Sequence, residues 1–189
     1  MFTVISEKIS IMKKIVIVNG VIAGLIVSGI MVISHPMIED GRIGYDNGQL
    51  VGYASMVLAL SLIFFGIRTY RDQVLNGIIS FGQAVKVGLF ITLVASVMYA
   101  ITWDLYYRVA ASDFSEKYTA HYLEKMEKEG ASQEEISSMR THMEAFNELY
   151  ENTFVRFGIT MIDIVPVGLV ITLISAAFLK RSRESLAGR

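Results

Sequence analysis

Asp163 is the one ionisable side chain that lies inside an apolar run long enough to cross a bilayer. Counted from Phe157 it is six residues, about 9 Å, inside that run. Pro166, three residues on, has no backbone N–H, so it bends a helix and frees a carbonyl close to the carboxyl group. Ser28, Ser96 and Tyr99 carry hydroxyls at comparable depth in their own apolar runs. A carboxylate in hydrocarbon is costly and is a functional hypothesis by default. The chemistry open to this set is the binding of a proton or a small cation. The same groups also allow plain packing, with Asp163 bonded to one of the three hydroxyls, and both readings stand at this point. Lys86 is no partner for it, since it falls 17 residues, about 25 Å, below Trp103 at the other side.

A second polar set is Arg68, Tyr70, Arg71, Asp72 and Lys86, at the end of one apolar run and the start of the next. Arg68 and Asp72 are four apart and can pair on one helix face. The alternative is that Arg68 and Arg71 hold lipid phosphates while Lys86 snorkels to the same surface. Other chemistry finds little material. The chain has no cysteine, no phosphate-binding glycine loop, no His-Glu-x-x-His and no nucleophile elbow. Of His35, His121 and His142, the last two could approach one another on facing helices, which is a weak metal signal beside two solvated rings. No cofactor, metal or nucleic-acid partner is expected, and no catalytic residue is assigned.

The elements that must position these residues are apolar helices. Ile15–Ser34 is 20 residues without a charge, about 30 Å as a helix, which crosses the hydrocarbon core. Further spans are expected at about 50–67, 84–103 and 155–179. Gly20, Gly24 and Ser28 mark a packing face in the first span, turned toward a helix of the same chain or of another copy. Asn19 beside them is expected to hydrogen-bond across a helix interface. Met12 precedes Lys13-Lys14, and translation starting there would make the first eleven residues dispensable. His35–Gln49 reads as a turn, on its proline and its Asp46-Asn47-Gly48.

Asp104–Thr153 is the long polar piece, with eleven acidic and five basic residues, a net charge of −6. It reads as an antiparallel helical hairpin. Phe114, Tyr118, Tyr122 and Met126 recur every fourth residue from Ala110 to Glu129; Gly130 supplies a left-handed stop; Ser132 and Glu135 fit a capping box. Ile136, Met139, Met143, Phe146 and Tyr150 step by three and four along the second arm. The stripe of Phe114, Tyr118, Tyr122, Met139, Met143 and Phe146 is read first as the hairpin's own core, with a surface for a partner helix as the sharper alternative.

Charge sets the orientation. The N-terminal lead and the Arg68–Lys86 connection are each net +2 and the tail is net +3, whereas His35–Gln49 is net −2. Since Lys and Arg are held on the cytoplasmic side, both termini are expected inside and the acidic hairpin outside.

The order Phe65-Gly66-Ile67-Arg68-Thr69-Tyr70-Arg71-Asp72, Ile79-Ser80-Phe81, Ala84, Gly88, Tyr99, Trp103, Pro166-Val167-Gly168 and Thr172 to Ala176 resembles the bacterial family filed as domain of unknown function 4199. The resemblance implies a small four-span inner-membrane protein of unassigned activity. The expected architecture is therefore all-α and integral to the membrane, four transmembrane helices with an extracytoplasmic antiparallel hairpin between the third and fourth. The expected role is a non-enzymatic scaffold, sensor or accessory subunit. A proton- or cation-linked transporter component using Asp163 and a membrane-embedded lipid enzyme are the alternatives. The bilayer is the first partner; a second copy or another membrane protein is left open.

Overall fold

The structure, a computed structural model, describes residues 2–181, with side chains from residue 6. The basic tail residues Arg183 and Arg189 and the first residue, Met1, therefore lie outside the described residues. Every described element is helical: α1 (Phe2–Glu39), α2 (Tyr45–Leu60), α3 (Leu62–Val74), α4 (Phe81–Ala110), α5 (Phe114–Lys128), α6 (Gln133–Tyr150) and α7 (Thr153–Leu179). Ser6–Glu39, Tyr45–Val74, Phe81–Ala110 and Thr153–Leu179 are long and apolar enough to cross a membrane. All four expected spans exist; the first three helices overshoot the expected span at both ends, and α7 overshoots it only at its start.

Two overshoots correct the sequence reading. The first helix runs through Pro36 to Glu39, and the chain turns at Gly41, whose φ of +73° suits glycine. Asp46-Asn47-Gly48 is no turn but the first turn of α2, where Asp46 sits favourably against the helix dipole. Gly48 lies close to α1 there, and a Cβ would fall 2.5 Å from Ile38 Cδ1, so that side chain would have to shift. The second span is α2 and α3 in series, interrupted at Ser61. That hydroxyl turns back on Leu58 O at 2.7 Å.

The chain forms two compact units, Met1–Tyr99 with Met161–Arg189, and Ala100–Thr160. The first unit's core holds Val16, Ala23, Val27, Leu60, Ile63, Ile67, Ile91, Ala95, Ile164 and Ala176. Small residues let its helices approach. A Cβ on Gly20 would fall 2.6 Å from Val94 Cβ and one on Gly24 2.8 Å from Met98 Cβ, so the neighbour of that face of α1 is α4 of the same chain. Asn19 does not bond across the interface: its Nδ2 donates to Ile15 O, 2.8 Å away in its own helix. Where α4 crosses α7 the fit is reciprocal. Gly88 faces Thr172 and Gly168 faces Thr92, so two Gly-x-x-x-Thr segments running antiparallel place each threonine on the other helix's glycine. Thr92 and Ser96 satisfy their hydroxyls on Gly88 O and Thr92 O at 3.0 and 2.8 Å, whereas the Thr172 hydroxyl at the same crossing is buried without a hydrogen-bond partner among the described residues.

In the second unit the hairpin's ends are built as the sequence expects. Gly130 has φ +85°, Ala131 N donates to Met126 O at 3.0 Å and Gly130 N to Glu127 O at 3.1 Å, which closes α5. Ser132 and Glu135 form the full capping box at the start of α6. The two Ser132 donors hold the Glu135 carboxyl below its ordinary pKa. The helix faces are another matter. The seam between α5 and α6 is Thr119 and Leu123, both buried, with Asn147 Nδ2 donating to Thr119 Oγ1 at 3.1 Å. The aromatic stripe is not the hairpin core: Tyr118, Tyr122 and Phe146 are 41, 37 and 47 % exposed, and Phe114, Met139 and Met143 are half-buried.

Candidate functional site

The intramembrane set is not assembled into one site. Asp163 is exposed on α7 and makes no hydrogen bond or ion pair with any described residue. Ser28 is buried with an unsatisfied hydroxyl, Ser96 is spent on Thr92 O, and Tyr99 is half-buried. Pro166 lies inside α7, exposed like Asp163, and the helix continues through it. A cation bound by Asp163 would therefore find no second oxygen from these hydroxyls.

The α3–α4 turn, by contrast, is tightly built. Arg71 is buried, and its Nε and Nη2 donate to the two Asp72 oxygens at 2.7 and 3.1 Å, the forked geometry that suits a guanidinium and a carboxylate. Arg68 comes within 3.8 Å of the same carboxylate, so the expected four-residue pair exists but is the weaker of the two. Arg71 is thus a bonded structural cation rather than a lipid anchor; Arg68 and Lys86 stay exposed and Tyr70 is half-buried. Asn76 and Gly77, both at positive φ, reverse the chain. Ser80 and Gln83 then exchange backbone and side-chain bonds at the start of α4, and Arg181 N donates to Ile79 O at 3.0 Å.

The most concentrated polar cluster is one the sequence reading passed over. Arg156, 2 % exposed, lies at the start of α7 and meets Asp104, near the end of α4. Its Nε donates to Asp104 Oδ1 at 3.0 Å and its Nη2 shares the same oxygen and approaches Thr153 Oγ1; its Nη1 reaches the carbonyls of Tyr150 and Glu151 at 2.9 and 3.3 Å. A guanidinium has five N–H donors, and every one is placed. The other Asp104 oxygen accepts from Arg108 Nε at 3.0 Å, and the Arg156 guanidinium lies 4.3 Å from the Tyr107 ring centroid. Around the pair, Trp103 Nε1 donates to Tyr150 Oη at 2.7 Å and Tyr107 Oη to Glu151 at 3.1 Å. With every Arg156 donor committed, the Arg156–Asp104 pair is a clamp that joins the two helix ends carrying the hairpin. The signal that could have found it is an arginine opening the fourth span opposite an aspartate closing the third.

From the clamp an aromatic ladder runs along the hairpin. Trp103 meets Phe114 edge-on at 5.4 Å, Phe114 stacks on Tyr118 at 6.0 Å and Tyr118 on Tyr122 at 6.5 Å; Phe146 stacks on Tyr150 at 5.7 Å. Between the arms lies an open groove of about 590 Å³ lined by Glu116, Glu124, Glu127 and Glu144 with Arg140 and Asn147 among others. His142 Nδ1 lies 2.8 Å from Ser138 O of its own helix, and no cluster of three His, Asp or Glu side chains fit for a metal forms among the described residues.

Residues 19–181 match the profile of a family described as Protein of unknown function (DUF4199). The chain belongs to that family. The match takes in the first span from Asn19 onward and the whole of the other three, with the α3–α4 turn, the clamp and the hairpin. No curated protein and no solved structure matches this DUF4199 chain.

Proposed function

We propose that this DUF4199 protein is a non-enzymatic scaffold, sensor or accessory subunit of the bacterial inner membrane. Both termini are cytoplasmic, and the α5–α6 hairpin is extracytoplasmic and is the working surface. The orientation rests on the alternation of basic and acidic connections. The role rests on one observation: the hairpin leaves its stacked aromatic rings on an exposed flank instead of burying them in its own seam. Exposed rings of limited rotamer freedom, beside an acidic groove, suit an amphipathic partner segment with an apolar face and basic residues.

The rival roles have less to work with. A carrier site within one copy would need Asp163 turned toward the polar groups of the bundle, and it faces away from them. A lipid enzyme using Arg71 would need a guanidinium that is already committed to Asp72.

The test is co-purification from native membranes at low and high salt. Wild type is expected to retain a partner that is lost on deleting Phe114–Tyr150 and reduced about tenfold or more by Tyr118→Ala with Tyr122→Ala, the loss expected of a central aromatic contact. Retention of the same proteins by all three forms would remove the hairpin from the account.

A further inference from the structure

The lipid-facing side of α7 carries two polar groups that lipid cannot satisfy. Asp163 is exposed and unbonded among the described residues. Pro166 has no N–H to return to the carbonyl of Ile162, four residues back, and Ile162 is itself 69 % exposed. A neutral carboxyl offers an O–H donor, and the freed carbonyl is an acceptor. They belong to adjacent residues and so lie at one depth. The same face continues as Asp163, Pro166, Val170, Leu173 and Ala177, all exposed, at the alternating three- and four-residue spacing of a helix–helix seam.

We infer that α7 pairs with α7 of a second copy, the Asp163 carboxyl of each donating to the Ile162 carbonyl that Pro166 leaves open in the other. Two copies inserted in the same sense are related by a two-fold axis along the membrane normal, and this operation preserves depth. A self-complementary patch must then hold its donor and its acceptor at one level, as this one does. Helices of the first unit bury their close-packing glycines internally against Val94, Met98, Thr92 and Thr172, so those faces are not free to take a second copy. The occupant that this geometry fits is the chain itself, and the pairing is separate from the hairpin's role.

The absence of cysteine from the chain makes a direct test clean. In purified full-length protein reconstituted in phosphatidylethanolamine/phosphatidylglycerol vesicles, Val170→Cys is expected to oxidise to a disulfide-linked dimer. Leu25→Cys, equally exposed on α1, is expected to stay monomeric. Single-molecule photobleaching on dilution in the same lipid gives the energetics. Asp163→Leu is expected to weaken association roughly tenfold, from the loss of two interhelical hydrogen bonds, and Pro166→Ala by a smaller factor. Asp163→Asn, which keeps a donor, is expected to stay close to wild type. Equal cross-linking at both positions or at neither, or association of Asp163→Leu as tight as wild type, overturns the proposal. Because Asp163 is exposed, the unfolding temperature of Asp163→Leu measured in dilute detergent, where the copies are apart, is expected to match wild type, which separates lost pairing from lost folding.

Discussion

Replacing Arg156 by alanine is expected to destabilise the Ala100–Thr160 unit by about 3–5 kcal/mol, the cost of breaking a buried ion pair by removing one partner. The removal strands more than a charge. Asp104, whose side chain is 13 % exposed, keeps only Arg108 as a cationic partner, and the carbonyls of Tyr150 and Glu151 lose a shared donor just where α6 gives way to α7. Arg156→Lys is expected to recover only part of the loss, because one ammonium has three donors on a flexible stem and cannot reach the carboxylate, two carbonyls and a threonine together. Asp104→Leu with Arg156→Leu is expected to cost less than the two single changes added, since neither charge is then left unpaired. The single tryptophan reports the event directly: Trp103 donates to Tyr150 within the clamp, so its emission is expected to shift at a lower denaturant concentration in Arg156→Ala than in wild type.

Gly168→Val is expected to be the second most damaging change, at about 1–3 kcal/mol from overpacking. Even a lone Cβ at Gly168 falls within the van der Waals envelope of Thr92, and the reciprocal contact of Gly88 with Thr172 prevents the helices from sliding to relieve it. Lipid offers no hydrophobic gain from added methyl groups to offset the clash, because the tails are as apolar as valine. Two comparisons isolate the cause. Gly168→Ala combined with Thr92→Ala restores the space and is expected to unfold close to wild type, and Gly29→Ala, where a Cβ meets nothing within 4 Å, is expected to be neutral or slightly stabilising. Thermal unfolding in one detergent, with the variants in parallel, checks the order.

What the sequence carried legibly were signals local in the chain. An apolar run long enough to span, a glycine at a left-handed stop and a Ser-x-x-Glu box each act within a few residues, so the four spans, the Gly130 closure and the Ser132 cap are where they were expected. The rotation of α5 was not legible. The series through Phe114, Tyr118 and Tyr122 and the series through Ser115, Thr119 and Leu123 differ by one position, about 100° of helix, and a helix exposed on most sides gives no strong polarity to choose between them. The choice is tertiary: Thr119 receives Asn147 from the facing arm. Arg156 was missed for a related reason. Its partner Asp104 is 52 residues away, and each looks like an ordinary charge at a span's edge until the helix ends are set side by side. Asp163 was visible as a residue, but its direction was not, since depth along a helix says nothing about which face it occupies. The glycines at 20 and 24 were readable as a packing face, while the identity of their neighbour awaited the fold.

The central claim is that the hairpin meets a partner through its aromatic flank and not through its opposite, solvated side. It is tested most directly by photo-cross-linking in living cells from single positions carrying a photoreactive phenylalanine. The account predicts one discrete adduct from Tyr122 and from Phe146, absent from Glu134 on the opposite, solvated side and absent when Tyr118→Ala is added. The same adducts from Glu134, or none from Tyr122 and Phe146 while the protein is present at wild-type level, would contradict it.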